Sequence, residues 1–206
     1  MTLTLSRDQG GGFTHGAAYE PLYDGGVLAA EGDVVVVSCN YRTGALGFLR
    51  PDAETTSGNN GMRDIVAALE WVRDSASNFG GDTGNITVFG ESAGAAAVYC
   101  LLAMPSAAGL FHKAICQSGG GNTPMPSASA AARTVPRMLE AMGKAEGDWR
   151  HLLDCPVEEI LAAQAQVTGV FGPSVDAAAG GLDAALPQQP LQAVAQGSCS
   201  GVRRTR

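Results

Sequence analysis

Basic charge is scarce in this 206-residue chain. Thirteen Lys and Arg stand against 20 Asp and Glu, giving a formal net charge of -7 and a pI near 4.8. That balance argues against nucleic acid and against an anionic membrane surface as partners. Long apolar runs are also missing, and none approaches the roughly 20 residues that a bilayer span requires. The opening MTLTLSRDQ has neither the basic start nor the apolar centre of a secretory leader, so the chain as written reads as cytoplasmic, with the compartment of a longer protein left open. Histidine is rare: His15, His112 and His151 are scattered and share no ligand spacing. No Cys-x-x-C or Cys/His pattern suggests a metal, and no cofactor is implied. The five cysteines are odd in number. Cys39, Cys100 and Cys116 sit within apolar patterns and are expected to be buried free thiols. A hydrophobic share of 45% with 16% charged residues fits one soluble globular unit with a good-sized core.

Glycine, by contrast, is abundant at 28 residues, and one short stretch puts it to use. ITVFGESAGAAAV, Ile86 to Val98, holds a Gly-x-Ser-x-Gly frame around Ser92. In so glycine-rich a chain that frame arises by chance about once in four sequences, so its surroundings must carry the case. Before it, NITVF has β-branched and aromatic residues and no breaker, as a short buried strand does. After it, AGAAAVYCLLA has good helix formers, with Val98, Leu101 and Leu102 on one side, until Met104-Pro105 ends the helix. Strand, tight turn between small residues, then helix is the setting of a nucleophile elbow. Cys199 has a similar frame, Gly197 to Gly201, without the strand or the helix. Ser92 is therefore the candidate.

The remaining pattern is that of an α/β chain. GDVVVVSCNY (Gly32 to Tyr41) reads as a strand covered on both faces. MRDIVAALEWVRDSA (Met62 to Ala76) places Ile65, Leu69, Val72 and Ala76 on one helical stripe, with Arg63, Glu70 and Arg73 mostly off it. KAICQSGG (Lys113 to Gly120) reads as a further strand. Val34 to Ser38, Ile86 to Phe89 and Ala114 to Gln117 are thus expected as neighbouring parallel strands buried on both faces, with helices packed on both sides of the sheet. MTLTLSRD alternates and is expected at an edge. From Asn122 the character becomes helical: Val135, Met138, Leu139 and Met142 share one spacing, and PVEEILAAQAQV (Pro156 to Val167) forms another helix. FGPSVD, ALPQQP and LQAVAQG read as an extended piece, a proline turn and a short helix. The organisation is one unit, with a sheet core over 1–121 and a helical, cap-like region over 122–206 that ends in the basic SCSGVRRTR.

Several blocks now stand in a recognisable order: GGGF at Gly10 to Phe13, YDGGVLAAEGDVVVVSCNYRTGALGFL from Tyr23, GNNGMRDIVAALEWV, FGGD, VFGESAGA and GLFHKAICQSG. Together they resemble type-B carboxylesterases, the carboxylesterase/cholinesterase family of α/β-hydrolases. The resemblance implies a partial α/β-hydrolase fold and hydrolysis of a small-molecule carboxylic ester through an acyl-serine. Ser92 matches the nucleophile. Gly11 and Gly12 match oxyanion-hole donors, joined by the backbone N–H of Ala93. Glu91 is the family's residue before the serine, with a structural and an electrostatic role both open. Asp64 and Arg73 read as ordinary surface or helix charges.

Three departures accompany the resemblance. Gln9 stands where the family has histidine, and MTLTLSRD replaces an apolar strand. The family's preceding strands are absent. Its order is serine, acid, histidine, and both partners fall beyond Arg206. Neither His112 nor His151 corresponds to the catalytic histidine. The expectation is a serine without its base, inactive alone. The alternative is a non-catalytic α/β-hydrolase-like binding module.

Overall fold

The chain begins with strand β1 (Leu3–Asp8), then runs through helix α1 (Gly26–Gly32), strand β2 (Val35–Val37) and helix α2 (Gly44–Phe48). The long helix α3 (Asn60–Ser75) leads to β3 (Ile86–Glu91), α4 (Ala93–Leu101) and β4 (Lys113–Gln117). Helices α5 (Ala128–Ala132), α6 (Thr134–Ala141), α7 (His151–Asp154), α8 (Val157–Gln164) and α9 (Pro190–Ala195) follow, and β5 (Arg203–Arg204) returns to the sheet. This computed structural model describes residues 3–8, 11–52, 58–119, 123–167, 171–176, 184–198 and 201–204. Gln9, Gly10, Gly120 and Cys199 lie outside the described residues.

All strand pairs in the five-stranded sheet are parallel, in the order β2-β1-β3-β4-β5. This is the α/β arrangement expected, with one correction. The alternating N-terminal strand is not at an edge: β1 lies between β2 and β3, and Leu3 pairs with both Val35 and Ile86. Consequently β2 and β3 are not neighbours, although β3 and β4 are. The chain moves from β1 to β2 on one side and then returns past β1 to β3 on the other. Such a reversal opens a crevice at the carboxyl ends of the two diverging strands, the usual place for a ligand in an open parallel sheet.

Burial also departs from expectation, because the two faces of the sheet differ. Ile86 and Val88 are fully buried, and Val35, Val37, Ala114 and Cys116 pack against the same cluster, which includes the α3 stripe and Val98 and Leu101 of α4. The expected stripe of Ile65, Leu69, Val72 and Ala76 is buried throughout. The opposite face is covered only in part. Helix α1 approaches Val36 so closely that a Cβ on Gly25 would stand 2.4 Å from Val36 Cγ1. Beyond it a cavity of about 510 Å³ is lined by residues including Leu28, Val36, Phe89 and Gln117. Ile115 is 38% exposed. Strands β2 and β4 are therefore half-buried, where both faces were expected to be covered.

A buried polar network joins the two halves of the chain. Arg50 Nη1 lies 2.6 Å from Asp176 Oδ1, both side chains being almost fully buried. Asn59, at the start of α3, donates to the Ser174 carbonyl at 2.8 Å and accepts from the Ser174 N–H at 3.0 Å. Asp176 Oδ2 also accepts the Leu186 N–H at 3.0 Å. Segments 171–176 and 184–186 have little regular structure, so these bonds replace the ladder that a strand or helix would provide.

Candidate active site

Ser92 sits between the last residue of β3 and the first of α4, with φ 55° and ψ -115°. A non-glycine residue held there stores about 1–3 kcal/mol of strain. Its neighbours enforce the turn. A Cβ on Gly90 would stand 2.4 Å from the backbone carbon and oxygen of Gly94, and one on Gly119 would stand 2.7 Å from the Ser92 carbonyl oxygen. The Ser92 N–H donates to the Gln117 carbonyl at 2.9 Å, and its own carbonyl accepts the Ala96 N–H at 3.1 Å. Ser92 itself is exposed, while Ala93 behind it is buried. The first N–H groups of α4, including that of Ala93, lack partners within the helix and form its positive end.

The glycine loop leaves β1 at the same edge of the sheet. Asp8 stands opposite Gly90 in the parallel register, so Gly11 follows β1 where Ser92 follows β3. Thr14 closes the loop by donating to the Gly11 carbonyl from both its N–H (3.0 Å) and its hydroxyl (2.8 Å). Gly12 and Phe13 both have positive φ, 60° and 64°. For Phe13 this is uncommon, and two contacts hold it. Its ring is buried and meets Phe48 edge-on at 5.2 Å, and its carbonyl accepts the Gly44 N–H at 2.6 Å. A Cβ on Gly11 would lie 2.2 Å from the His15 carbonyl oxygen, so only glycine fits there, whereas Gly12 is open. The loop is thus fixed by Phe13 and α2 as well as by β1. Helix α2 is fixed in turn by α8, where Gln164 Oε1 accepts the Ala45 N–H at 2.6 Å.

The three histidines lie in different places. His15 is exposed beside the glycine loop, with Nδ1 3.0 Å from the Thr14 hydroxyl. His112 is at the far end of β3 from Ser92: its Nδ1 accepts the Ile86 N–H at 3.1 Å and its N–H donates to the Ile86 carbonyl at 2.8 Å. His151 opens α7, with Nε2 3.6 Å from a Glu159 carboxylate oxygen. Among the described residues none of the three hydrogen-bonds the Ser92 hydroxyl. Thiol alternatives to the serine are weak. Burial pushes Cys100 up to about 12 and Cys116 up to about 11, so neither is a thiolate at neutral pH. Glu91 is half-buried at the end of β3, opposite Gln117. Asp64 is more than a surface charge: it accepts Arg42 Nε, Nη2 and backbone N–H at 2.7–2.9 Å.

The sequence of residues 9–203 matches the model of the carboxylesterase family. The chain belongs to the carboxylesterase family. It is 43% identical over 204 residues to the para-nitrobenzyl esterase of Bacillus subtilis (strain 168), covering 94% of this chain and 40% of that protein. It is 49% identical over 139 residues to the acetylcholinesterase of Gallus gallus, covering 67% of this chain and 18% of the relative. Among solved structures, the carboxylesterase EST55 of Geobacillus stearothermophilus at pH 6.2 superposes with a TM-score of 0.86 at 40% identity, covering 98% of this chain and 42% of its own. The juvenile hormone esterase of Manduca sexta, solved with OTFP covalently attached, gives 0.86 at 30% identity over 98% of this chain and 40% of its own. The α/β-hydrolase fold of these carboxylesterases is the fold of this chain, which spans about two-fifths of the length of its Bacillus relative.

Proposed function

We propose that this carboxylesterase-family chain carries the nucleophile and the oxyanion donors of a serine esterase acting on a small-molecule carboxylic ester. Ser92 attacks the ester carbonyl. The N–H groups of Gly11, Gly12 and Ala93 receive the oxyanion of the tetrahedral intermediate. The alcohol leaves, and water then cleaves the acyl-serine. Each preorganised donor contributes about 3 kcal/mol in the transition state. The observation that carries this reading is the strained Ser92 backbone at the carboxyl end of β3, with the glycine loop following β1 at the same edge. Strain of that kind persists only where the surroundings impose it, and it concentrates at functional sites.

The finer part of the proposal is that the 206-residue chain alone turns over esters poorly. A serine hydroxyl needs a base to become a good nucleophile at neutral pH, and no histidine among the described residues hydrogen-bonds Ser92. The test uses two proteins: the chain itself, and a chimera in which it replaces the matching region of the Bacillus subtilis esterase. With an activated ester such as p-nitrophenyl acetate, the chimera should show turnover that Ser92→Ala removes, and the chain alone should not. A chimera still active after Ser92→Ala would overturn the nucleophile assignment. Fast, Ser92-dependent turnover by the chain alone would overturn the missing base, and His15 and His151 would then be the residues to replace.

A further inference from the structure

Far from the strained serine in sequence, three side chains with metal-binding atoms converge where α7 meets α8. A ring nitrogen of His151, Cys155 Sγ and a carboxylate oxygen of Glu159 all lie within 4.8 Å of one another. The residues recur every four positions, yet they do not share one continuous helix. Cys155 is extended, with φ -75° and ψ 156°, and Pro156 follows it. The Cys155 N–H still donates to the His151 carbonyl at 2.9 Å, which keeps the thiol beside the imidazole as the chain turns. Glu159 then reaches back from α8. His151 Nε2 is shielded from solvent and has no hydrogen-bond partner among the described residues. A buried ring nitrogen with no hydrogen bond among the described residues, on an imidazole beside a thiol and a carboxylate, is an unusual arrangement.

We propose that His151, Cys155 and Glu159 form a site for a divalent cation of the zinc type, with imidazole nitrogen, thiolate sulfur and carboxylate oxygen as three ligands and water as the fourth. Bonds of about 2.0–2.3 Å in a tetrahedron put neighbouring ligand atoms roughly 3.3–3.7 Å apart. The His151 Nε2 to Glu159 Oε2 separation of 3.6 Å already meets this. The other separations, at most 4.8 Å, require side-chain adjustments of up to about 1.5 Å. The donor set selects among metals. Thiolate and imidazole favour zinc, while magnesium and calcium take oxygen ligands. Glu159 is half-exposed at 51%, which gives the ion a path from solvent and leaves room for the water. On binding, the Cys155 thiol proton passes to solvent as the sulfur–metal bond forms, with no change of oxidation state. The ion would tie α7 to α8, the helix whose Gln164 holds α2.

Co2+ titration of the metal-stripped 206-residue chain, kept reduced by a phosphine, tests this site. A thiolate-to-cobalt charge-transfer band saturating at one equivalent, and lost on adding Zn2+, is the expected result. Cys155→Ser should abolish the band. His151→Ala and Glu159→Gln should each weaken Co2+ binding by at least about tenfold, while Cys39→Ser and Cys116→Ser should leave it unchanged. Absence of the band at millimolar Co2+, or a band that survives Cys155→Ser, overturns the proposal. If circular dichroism shows Cys155→Ser unfolded, Glu159→Gln decides from its exposed position. Unchanged cobalt affinity in that variant would also overturn it.

Discussion

The backbone N–H of Ser92 donates to the carbonyl of Gln117, 2.9 Å away at the end of β4. This bond fixes the turn to the neighbouring strand while the residue keeps φ 55° and ψ -115°. The turn is therefore held from outside and does not follow from the preference of the residue itself. Replacing Ser92 by glycine removes the Cβ that makes this backbone costly. Relief of about 1–3 kcal/mol outweighs the roughly 0.5–1 kcal/mol of added chain entropy in the unfolded state. Ser92→Gly should raise the urea midpoint by the equivalent of up to about 2.5 kcal/mol, and it should abolish ester turnover by the chimera. A lower midpoint would show that the strain is not stored at this residue.

Two glycines near the site should respond differently to alanine. Gly90→Ala drives a methyl group against the Gly94 backbone at 2.4 Å, and backbone cannot rotate away as a flexible side chain can. The loss should be about 1–3 kcal/mol or more. Gly12 has open space around its absent Cβ but a φ of 60°. Gly12→Ala should cost only about 1–2 kcal/mol, from the left-handed backbone. Chimera turnover should fall more than that stability loss predicts, because the loop shifts its donors. A Gly90→Ala variant that melts with the parent protein would contradict the assignment of steric contact at Gly90.

The buried pair of Arg50 and Asp176 should be costly to break and cheap to replace. Asp176→Ala removes the Asp176 carboxylate from the buried guanidinium and deprives Asn59 and the Leu186 N–H of an acceptor. A loss of about 3–5 kcal/mol is expected. Arg50→Met with Asp176→Leu removes both charges together and should recover a large part of it. Thermal melts of the single and double variants test this. A double variant no more stable than Asp176→Ala would mean that the polar bonds to Asn59 and Leu186, and not the ion pair, dominate.

What the sequence showed clearly was local. The strand, turn and helix around Ser92 could be read because their signals lie within 18 consecutive residues, Ile86 to Ala103, and the apolar stripe of α3 could be read from its period. The position of β1 could not. Its alternation is that of a strand with one wet face, which points to an edge, whereas its backbone pairs on both sides. Strand order depends on crossovers, which leave little trace in a local pattern. Asp176 was equally hidden, since its partner Arg50 is 126 positions away. The convergence of His151, Cys155 and Glu159 did leave a trace, a spacing of four and four, but Pro156 disguised it by interrupting the helix on which that spacing would be read.

The clasp between Arg42 and Asp64 predicts how acid acts on the support of the glycine loop. Arg42 lies just before Gly44, whose N–H holds the Phe13 carbonyl, and Asp64 belongs to α3. Burial by itself would raise the Asp64 carboxyl. The hydrogen bonds and charge of Arg42 outweigh that effect and hold it below its ordinary value of 3.8. A carboxylate lowered on folding stabilises the native state fully above its unfolded value, and the contribution is lost as pH falls through the lower folded value. Arg42 is half-exposed, so the pair is worth only about 0.2–1 kcal/mol. Asp64→Asn should therefore lower the urea midpoint by that amount at neutral pH, with the two proteins converging in acid once Asp64 is protonated in both states. A gap that stays constant from pH 7 down through the acid limb would show that Asp64 acts through packing rather than charge.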